Sequence, residues 1–172
     1  QIELRLAAEI AGDVRMIRAF KEGQDLHSLA ATLITNDKAV EAVTPEQRQL
    51  AKAVNFGLIY GMSAKRLAEY ANTNFGVTLT ETRAADIRNR YFSAFPDLQA
   101  WHRRQSRLRV TRTVLGRRRS IKPVNGRTPY TQLLNSPVQG SAADGMKLAL
   151  ARLWETRSIS GAFPVLVVHN EV

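Results

Sequence analysis

Two cations and two aromatic rings stand four residues apart in one run of this chain: Arg48, Lys52, Phe56 and Tyr60. On a helix, each step of four residues advances the face by only about 40°. The four side chains therefore descend one side, two positive charges followed by two rings. Two cations one turn apart can grip adjacent phosphates, and a ring one turn further on can support a sugar or a base. The same stripe also fits a plainer role, a solvated Arg/Lys edge above two core aromatics.

The element that must carry this stripe is well marked. Thr44 suits an N-cap, Pro45 the first helical position, and Gln47 can close a capping box, while Gly61 offers a stop. These signals predict a helix of about four turns from Pro45 to Tyr60. Ahead of it, the alternation over Gln1 to Leu6 predicts a strand edge or loop. A helical pattern then runs from Leu4 to Phe20, interrupted at Gly12-Asp13. Lys21 to Asp25 reads as a turn, Asp25-Leu26-His27-Ser28 opens another helix, and Asn36 to Val43 is a polar connector.

Beyond the central helix, a short helix is expected from Ala64 to Tyr70, with a turn over Asn72 to Gly76. Thr80 caps a predicted helix from Glu81 to about Ala94, and Pro96 starts another that reaches about Arg109. Val110 to Lys122 reads as a hairpin turning at Leu115-Gly116. Arg117, Arg118 and Arg119 alternate faces there, so at least one points outward. Ser136, Pro137 and Gln139 form a second capping box, for a long helix from about Pro137 to Thr156. The apolar run from Pro164 predicts a buried strand ending in a polar turn at His169-Asn170-Glu171-Val172.

Charge narrows the partners. The net charge is +10, and it is unevenly placed. From Leu98 to Ala143 there is no Asp or Glu, yet that stretch carries Arg103, Arg104, Arg107, Arg109, Arg112, Arg117, Arg118, Arg119, Lys122 and Arg127. A polyanion, nucleic acid first, is the natural partner. An anionic membrane surface fits less well, because these cations are not matched to a strong apolar face. No run of about 18 apolar residues offers a membrane span. Without Cys there is no disulfide framework or thiolate zinc site, which fits a reducing cytoplasm. A chain of 172 residues is one domain, or two small lobes around one core.

The run Ala51-Lys52-Ala53-Val54-Asn55-Phe56-Gly57-Leu58-Ile59-Tyr60-Gly61-Met62-Ser63, with Arg48 ahead of it, resembles the nucleotide-binding fingers helix of family A, DNA polymerase I-like, DNA polymerases. Four further stretches resemble that family in the matching order. Gln1-Ile2-Glu3-Leu4-Arg5 is similar to the end of motif A, whose Asp-Tyr-Ser start, with its metal-binding Asp, is not in this sequence; the chain reads as a piece of a longer protein. Thr113 to Arg119 resembles a template-binding signature. Asn135-Ser136-Pro137-Val138-Gln139-Gly140 resembles the family's minor-groove element, with Thr131 where an Arg is usual. His169-Asn170-Glu171 resembles motif C, with Asn170 in place of the usual Asp.

The resemblance implies an α+β fold: mostly helical fingers with a small antiparallel palm sheet, part of the polymerase right hand. Residues 1–19 and 125–172 would be palm, and 20–124 fingers. It implies template-directed nucleotidyl transfer, with deoxynucleoside triphosphates and primer–template DNA as partners and two Mg²⁺ ions as cofactors. Gln1, Glu3, His27, Arg48, Lys52, Phe56 and Tyr60 would contact the nucleotide, Glu3 as the gate that leaves no room for a 2′-hydroxyl. Lys52, Asn170 and Glu171 would be catalytic, the last two also holding metal in a weakened site. Arg117, Arg118, Arg119, Asn135, Gln139 and His169 would contact DNA. Minor-groove acceptors differ little between base pairs, so amide donors there can test pair geometry without reading sequence. Loss of the two metal-binding Asp residues implies a chain inactive on its own. The rival reading is a nucleic-acid-binding protein of polymerase descent without catalysis. A single-subunit RNA polymerase shares the Arg/Lys/Tyr-Gly helix, but Glu3 and Phe56 argue against it.

Overall fold

The computed structural model describes residues 2–35 and 43–165. Gln1, the connector at 36–42 and residues 166–172 lie outside the described residues, and with them His169, Asn170, Glu171 and most of the strand expected from Pro164, whose first residues, Pro164 and Val165, are not in a strand, Val165 being exposed. The rest is largely helical with one small hairpin, in the order α1 (Ile2–Ala11), α2 (Val14–Lys21), α3 (Leu26–Thr35), α4 (Pro45–Ile59), α5 (Ala64–Phe75), α6 (Glu81–Ala94), α7 (Pro96–Gln105), β1 (Val110–Arg112), β2 (Arg118–Ser120), α8 (Tyr130–Glu155) and α9 (Arg157–Ser160).

The strongest local signals hold. Thr44 and Gln47 form the expected reciprocal capping box on α4 with Pro45 in its first turn, and Tyr60 is the C-cap. Thr80 caps α6 through the Arg83 amide. The hairpin pairs Val110 with Ser120, Thr111 with Arg119 and Arg112 with Arg118, antiparallel. Gly116 makes its turn at φ 87°, a backbone region that favours glycine.

Four boundaries move, each because a longer-range partner outweighs local pattern. The strand edge expected at Gln1 to Leu6 is helical from Ile2 onward. Leu4, Ala7, Ala8 and Ala11 form a buried helical stripe, while Ile2, which a strand would bury beside Leu4, is exposed. The turn expected over Asn72 to Gly76 is instead the last part of α5. Asn72 bonds the Leu79 backbone in both directions, so its amide finds partners without breaking the helix. α7 ends at Gln105 rather than near Arg109, because the Arg109 carbonyl is taken by the Ile121 amide as the hairpin closes. α8 begins at Tyr130, seven residues before the predicted start, with Pro137 inside it. Ser136 is therefore no N-cap. Its hydroxyl bonds back to the Gln132 carbonyl one turn upstream, and Ser141 does the same to Pro137.

One apolar core runs from Leu4 in α1 to Val138 in α8, with Met16, Leu26, Leu58, Tyr91, Phe95 and Leu98 fully buried inside it. α4 lies against α3 and α5, and α1 packs on α8, α2, α7 and α4. Asp13 ties two layers together from full burial: it caps α2 through the Met16 amide and accepts from the Leu98 amide of α7. α4, which carries the stripe, is thereby held by α3, α5, α6 and α1.

Candidate functional site

Arg48, Lys52, Phe56 and Tyr60 are all half-buried, while the residues between them that face inward, such as Ala51, Asn55 and Ile59, are buried. The four-residue spacing does place them on one semi-exposed face. Each is then held by a different neighbour. Arg48 donates from Nε to Asp25 Oδ2 at 2.8 Å. That carboxylate also accepts from the Ser28 hydroxyl at 2.8 Å and the His27 amide at 3.3 Å. Burial alone would raise the Asp25 pKa, but these donors and the Arg48 charge outweigh it and bring it down to about 2. Asp25 is thus a fixed anion that orients Arg48. Lys52 has no ion-pair partner among the described residues, so its charge is available to a ligand.

His27 comes from the start of α3 and lies with its ring centroid 5.9 Å from that of Phe56. Burial lowers its pKa, and the nearby Arg48 and Lys52 push the same way against Asp25. Behind it, Asn55 Nδ2 sits 3.0 Å from His27 Nδ1, and the Tyr91 hydroxyl donates to Asn55 Oδ1 at 2.8 Å. At the far end of the stripe the Tyr60 hydroxyl donates to Glu3 Oε2 of α1. Burial raises the Tyr60 pKa, and this bond to Glu3 raises it further. The phenol keeps its proton and holds the Glu3 carboxylate beside the aromatic end of α4.

The second group of residues lies where the hairpin meets α8. Arg117 donates from Nε to Asp144 Oδ1 at 2.9 Å and from a terminal nitrogen to the Gly140 carbonyl at 3.1 Å. Arg119 donates to the Ser136 hydroxyl at 2.9 Å. Arg118, between them, is exposed and has no bonded partner among the described residues, as strand alternation requires of at least one. Gly140 permits this close approach, since a Cβ there would stand 2.8 Å from Thr113 Cγ2. Hydrogen bonds from Thr113 and Arg117 lower the Asp144 pKa, so it stays an anion and braces the hairpin.

A crevice of about 110 Å³ opens between these elements, bordered by the three arginines together with Asn135 and Gln139. Thr111 Oγ1 and Asn135 Oδ1 are buried at its wall without a hydrogen-bond partner. The crevice wall thus presents polar atoms as well as cations.

The structure thus brings together two sets of the sequence-predicted residues: Glu3, His27, Arg48, Lys52, Phe56 and Tyr60 along α4, and Arg117, Arg118, Arg119, Asn135 and Gln139 around the crevice. Gln1, His169, Asn170 and Glu171 lie outside the described residues. Asn55, Tyr91 and Asp144 carry no role on sequence grounds, and the structure supplies one for each. The Asp25-x-His27 spacing was the one available signal for the Asp25 contact.

The family model described as DNA polymerase family A matches residues 1–172, and the chain belongs to that family. It is 41% identical to DNA polymerase I of Aquifex aeolicus (strain VF5) over 180 residues, an alignment covering all of this chain and 30% of that protein. It is 38% identical to the thermostable DNA polymerase I of Thermus aquaticus over 182 residues, covering all of this chain and 21% of that one. Among solved structures it is similar to the POL domain of Pol1 from M. smegmatis in complex with DNA primer-template and dNTP. That match has a TM-score of 0.85 and 31% identity, and covers 99% of this chain and 31% of the other. The chain therefore spans less than a third of the length of these relatives.

Proposed function

We propose that this chain forms the nucleotide-binding fingers and part of the palm of a DNA-directed DNA polymerase, with fingers at 20–124 and palm at 1–19 and 125–172. The observation that carries the reading is the α4 face itself: Arg48 fixed by Asp25, Lys52 with no ion-pair partner among the described residues, the His27–Phe56 ring pair, then Tyr60 bonded to Glu3. This order matches a deoxynucleoside triphosphate laid along the helix, with tail phosphates at Arg48 and His27, the reacting phosphate at Lys52, and sugar and base at Phe56, Tyr60 and Glu3. The Glu3 carboxylate, held by Tyr60, closes the space under the sugar. The arginine crevice takes the duplex backbone, with Asn135 and Gln139 directed to the minor groove.

The family's metal ligands fit this chain only in part. Among the described residues no group of three His, Cys, Asp or Glu side chains could hold an ion. The candidates, Asn170 and Glu171, offer one neutral amide oxygen and one carboxylate, a weak set for Mg²⁺, which prefers anionic oxygens. When bound, two Mg²⁺ ions supply stabilisation of the attacking and leaving oxygens. The residues of α4 orient the triphosphate, and Lys52 neutralises charge on it and can protonate the departing pyrophosphate. Asn170 also motivates the second reading, a DNA-binding chain with little catalysis of its own.

Single-nucleotide primer extension with Mg²⁺ and with Mn²⁺ tests the assignment. In an active full-length parent, Glu3→Ala is expected to admit ribonucleotides, and Phe56→Tyr to ease dideoxynucleotide incorporation by supplying a hydroxyl in place of the missing 3′-hydroxyl. No change in sugar preference in either variant contradicts the pose. Asn170→Asp is expected to raise extension, and an unchanged rate argues that position 170 does not serve the metal.

A further inference from the structure

His27 is held from behind by a side chain whose own orientation is fixed, and this determines which ring nitrogen carries the proton. Asn55 is fully buried, and its Nδ2 lies 3.0 Å from His27 Nδ1. The opposite end of the amide, Oδ1, accepts from the Tyr91 hydroxyl at 2.8 Å. Tyr91 is itself fully buried, and burial, with the charge of Asp13 adding to it, raises its pKa, so it keeps the proton it donates. The Leu26 carbonyl, 3.5 Å from Nδ2, can only accept and so faces the same amide end. Reversing the amide would set Oδ1 against that carbonyl. An NH₂ group can only donate, so His27 Nδ1 must be the acceptor. The proton of a neutral ring then belongs to Nε2.

We propose that Asn55 and Tyr91 are positioning residues that lock His27 as the Nε2–H tautomer, so that the ring offers the incoming triphosphate a hydrogen-bond donor. Neither residue touches the nucleotide in this arrangement. They act through His27, as a hydrogen-bond partner on one imidazole nitrogen sets the role of the other. The charged groups around the ring are Asp25, Arg48 and Lys52. An acceptor nitrogen in that place would face phosphate oxygens lone pair to lone pair, whereas Nε2–H adds a directed donor to the two cations of the stripe. The use of that donor rests on the nucleotide reading of α4 given above; the tautomer itself does not.

The test uses the full-length protein with ¹⁵N-labelled histidine, bound to a dideoxy-terminated primer–template, before and after matched dATP. The His27 signals are assigned by their loss in His27→Gln. The expected spectrum has a pyridine-type Nδ1 and a pyrrole-type Nε2 before nucleotide is added, and the Nε2 signal moves on addition. A pyrrole-type Nδ1 overturns the lock, whatever the nucleotide does. A pyridine-type Nδ1 with signals unmoved by saturating dATP overturns the nucleotide reading of the face, and with it the purpose of the donor.

Asn55→Asp gives the second arm, because a carboxylate can only accept and so draws the proton to Nδ1. It is expected to weaken dATP binding about tenfold, the loss of a hydrogen bond to a charged group. In a His27→Ala background the same substitution is expected to change affinity by less than about twofold. A tenfold effect persisting in that background shows the new carboxylate repelling phosphate directly and counts against a role through His27. Tyr91→Phe, which frees the amide to turn over, is expected to leave His27 as a mixture of tautomers. A single Nε2–H form in that variant removes Tyr91 from the lock.

Discussion

The two cationic regions of this chain are built on opposite plans. Along α4 the functional groups are half-buried or, for His27, buried, and most are fixed by a named partner: Arg48 by Asp25, His27 by Asn55, Glu3 by Tyr60. Around the hairpin the arginines are exposed, and no acidic residue occurs between Leu98 and Ala143 to pair with them. Among the described residues, Asp144 and the backbone and hydroxyl oxygens of α8 hold the Arg117 and Arg119 side chains, and the exposed Arg118 side chain has no bonded partner. The first plan suits a small ligand whose atoms must be placed; the second suits a long polyanion that must be held in many registers. A buried, hydrogen-bonded charge gives geometry, while an exposed one gives affinity that salt can screen.

The joint between the two regions is the C-terminus of α4. His102 of α7, buried beneath Phe92, Trp101 and Tyr130, hydrogen-bonds the Ile59 carbonyl through Nε2 at 3.0 Å. That carbonyl belongs to the last turn of the helix, where acceptors lack intrahelical donors. Gly61 then turns the chain at φ 75°, with Tyr130 and Leu134 of α8 packed against its α-carbon. The aromatic end of the stripe is thus located by α7 and α8, the same helix that carries Asn135 and Gln139.

Breaking the α4 face should have the largest effect. Lys52→Ala is expected to slow nucleotide incorporation by about 10²- to 10³-fold, the range for removing a donor aimed at developing charge. Pre-steady-state single-turnover rates measure it, and a loss under tenfold removes Lys52 from the chemistry.

The joint can be broken by protons. Burial pushes the His102 pKa down from 6.5 to about 4, with the Ile59 carbonyl partly offsetting it. Between those values the unfolded chain takes up a proton that the folded chain refuses. Stability is therefore complete above about pH 6.5 and falls as pH drops toward 4, by up to about 3 kcal/mol from this residue. Urea unfolding across that window should show the fall, and His102→Gln should flatten it. Equal slopes in the two proteins contradict the assignment to His102.

Gly61→Ala should break the same joint by shape. Its Cβ would stand 2.5 Å from Tyr130 Cε1 and 2.6 Å from Leu134 Cδ1, on a backbone that already disfavours a side chain. A destabilisation of about 2 kcal/mol is expected. Thermal unfolding checks it, and an unchanged midpoint means that α8 gives way without cost.

Much of this was legible in the sequence, and what was missed shares a physical cause. The α4 stripe and its capping box depend on neighbours three and four residues away, so spacing alone located them. The alternation of Arg117 to Arg119 is equally local. The helical N-terminus was missed because six residues of alternating pattern cannot reveal that Ala7, Ala8 and Ala11 face a core made by distant helices. Pro137 reads as a helix start because proline is favoured in the first turn; only the burial of Leu133 and Leu134 shows that the helix is already under way. The Asn55–Tyr91 contact spans 36 residues and the His102–Ile59 contact 43, and no short-range rule anticipates either.

The central claim is that the two regions serve two ligands, and one paired titration tests it most directly. Lys52→Ala and Arg118→Ala are compared with the parent full-length protein for dATP affinity in the ternary complex and for the salt dependence of primer–template binding. Lys52→Ala should weaken dATP and leave the salt slope unchanged. Arg118→Ala should leave dATP affinity within about twofold and reduce the slope of log K against log salt by about 0.9, one phosphate contact. If each substitution alters both measurements alike, the chain has one undivided cationic surface, and the division drawn between α4 and the hairpin is wrong.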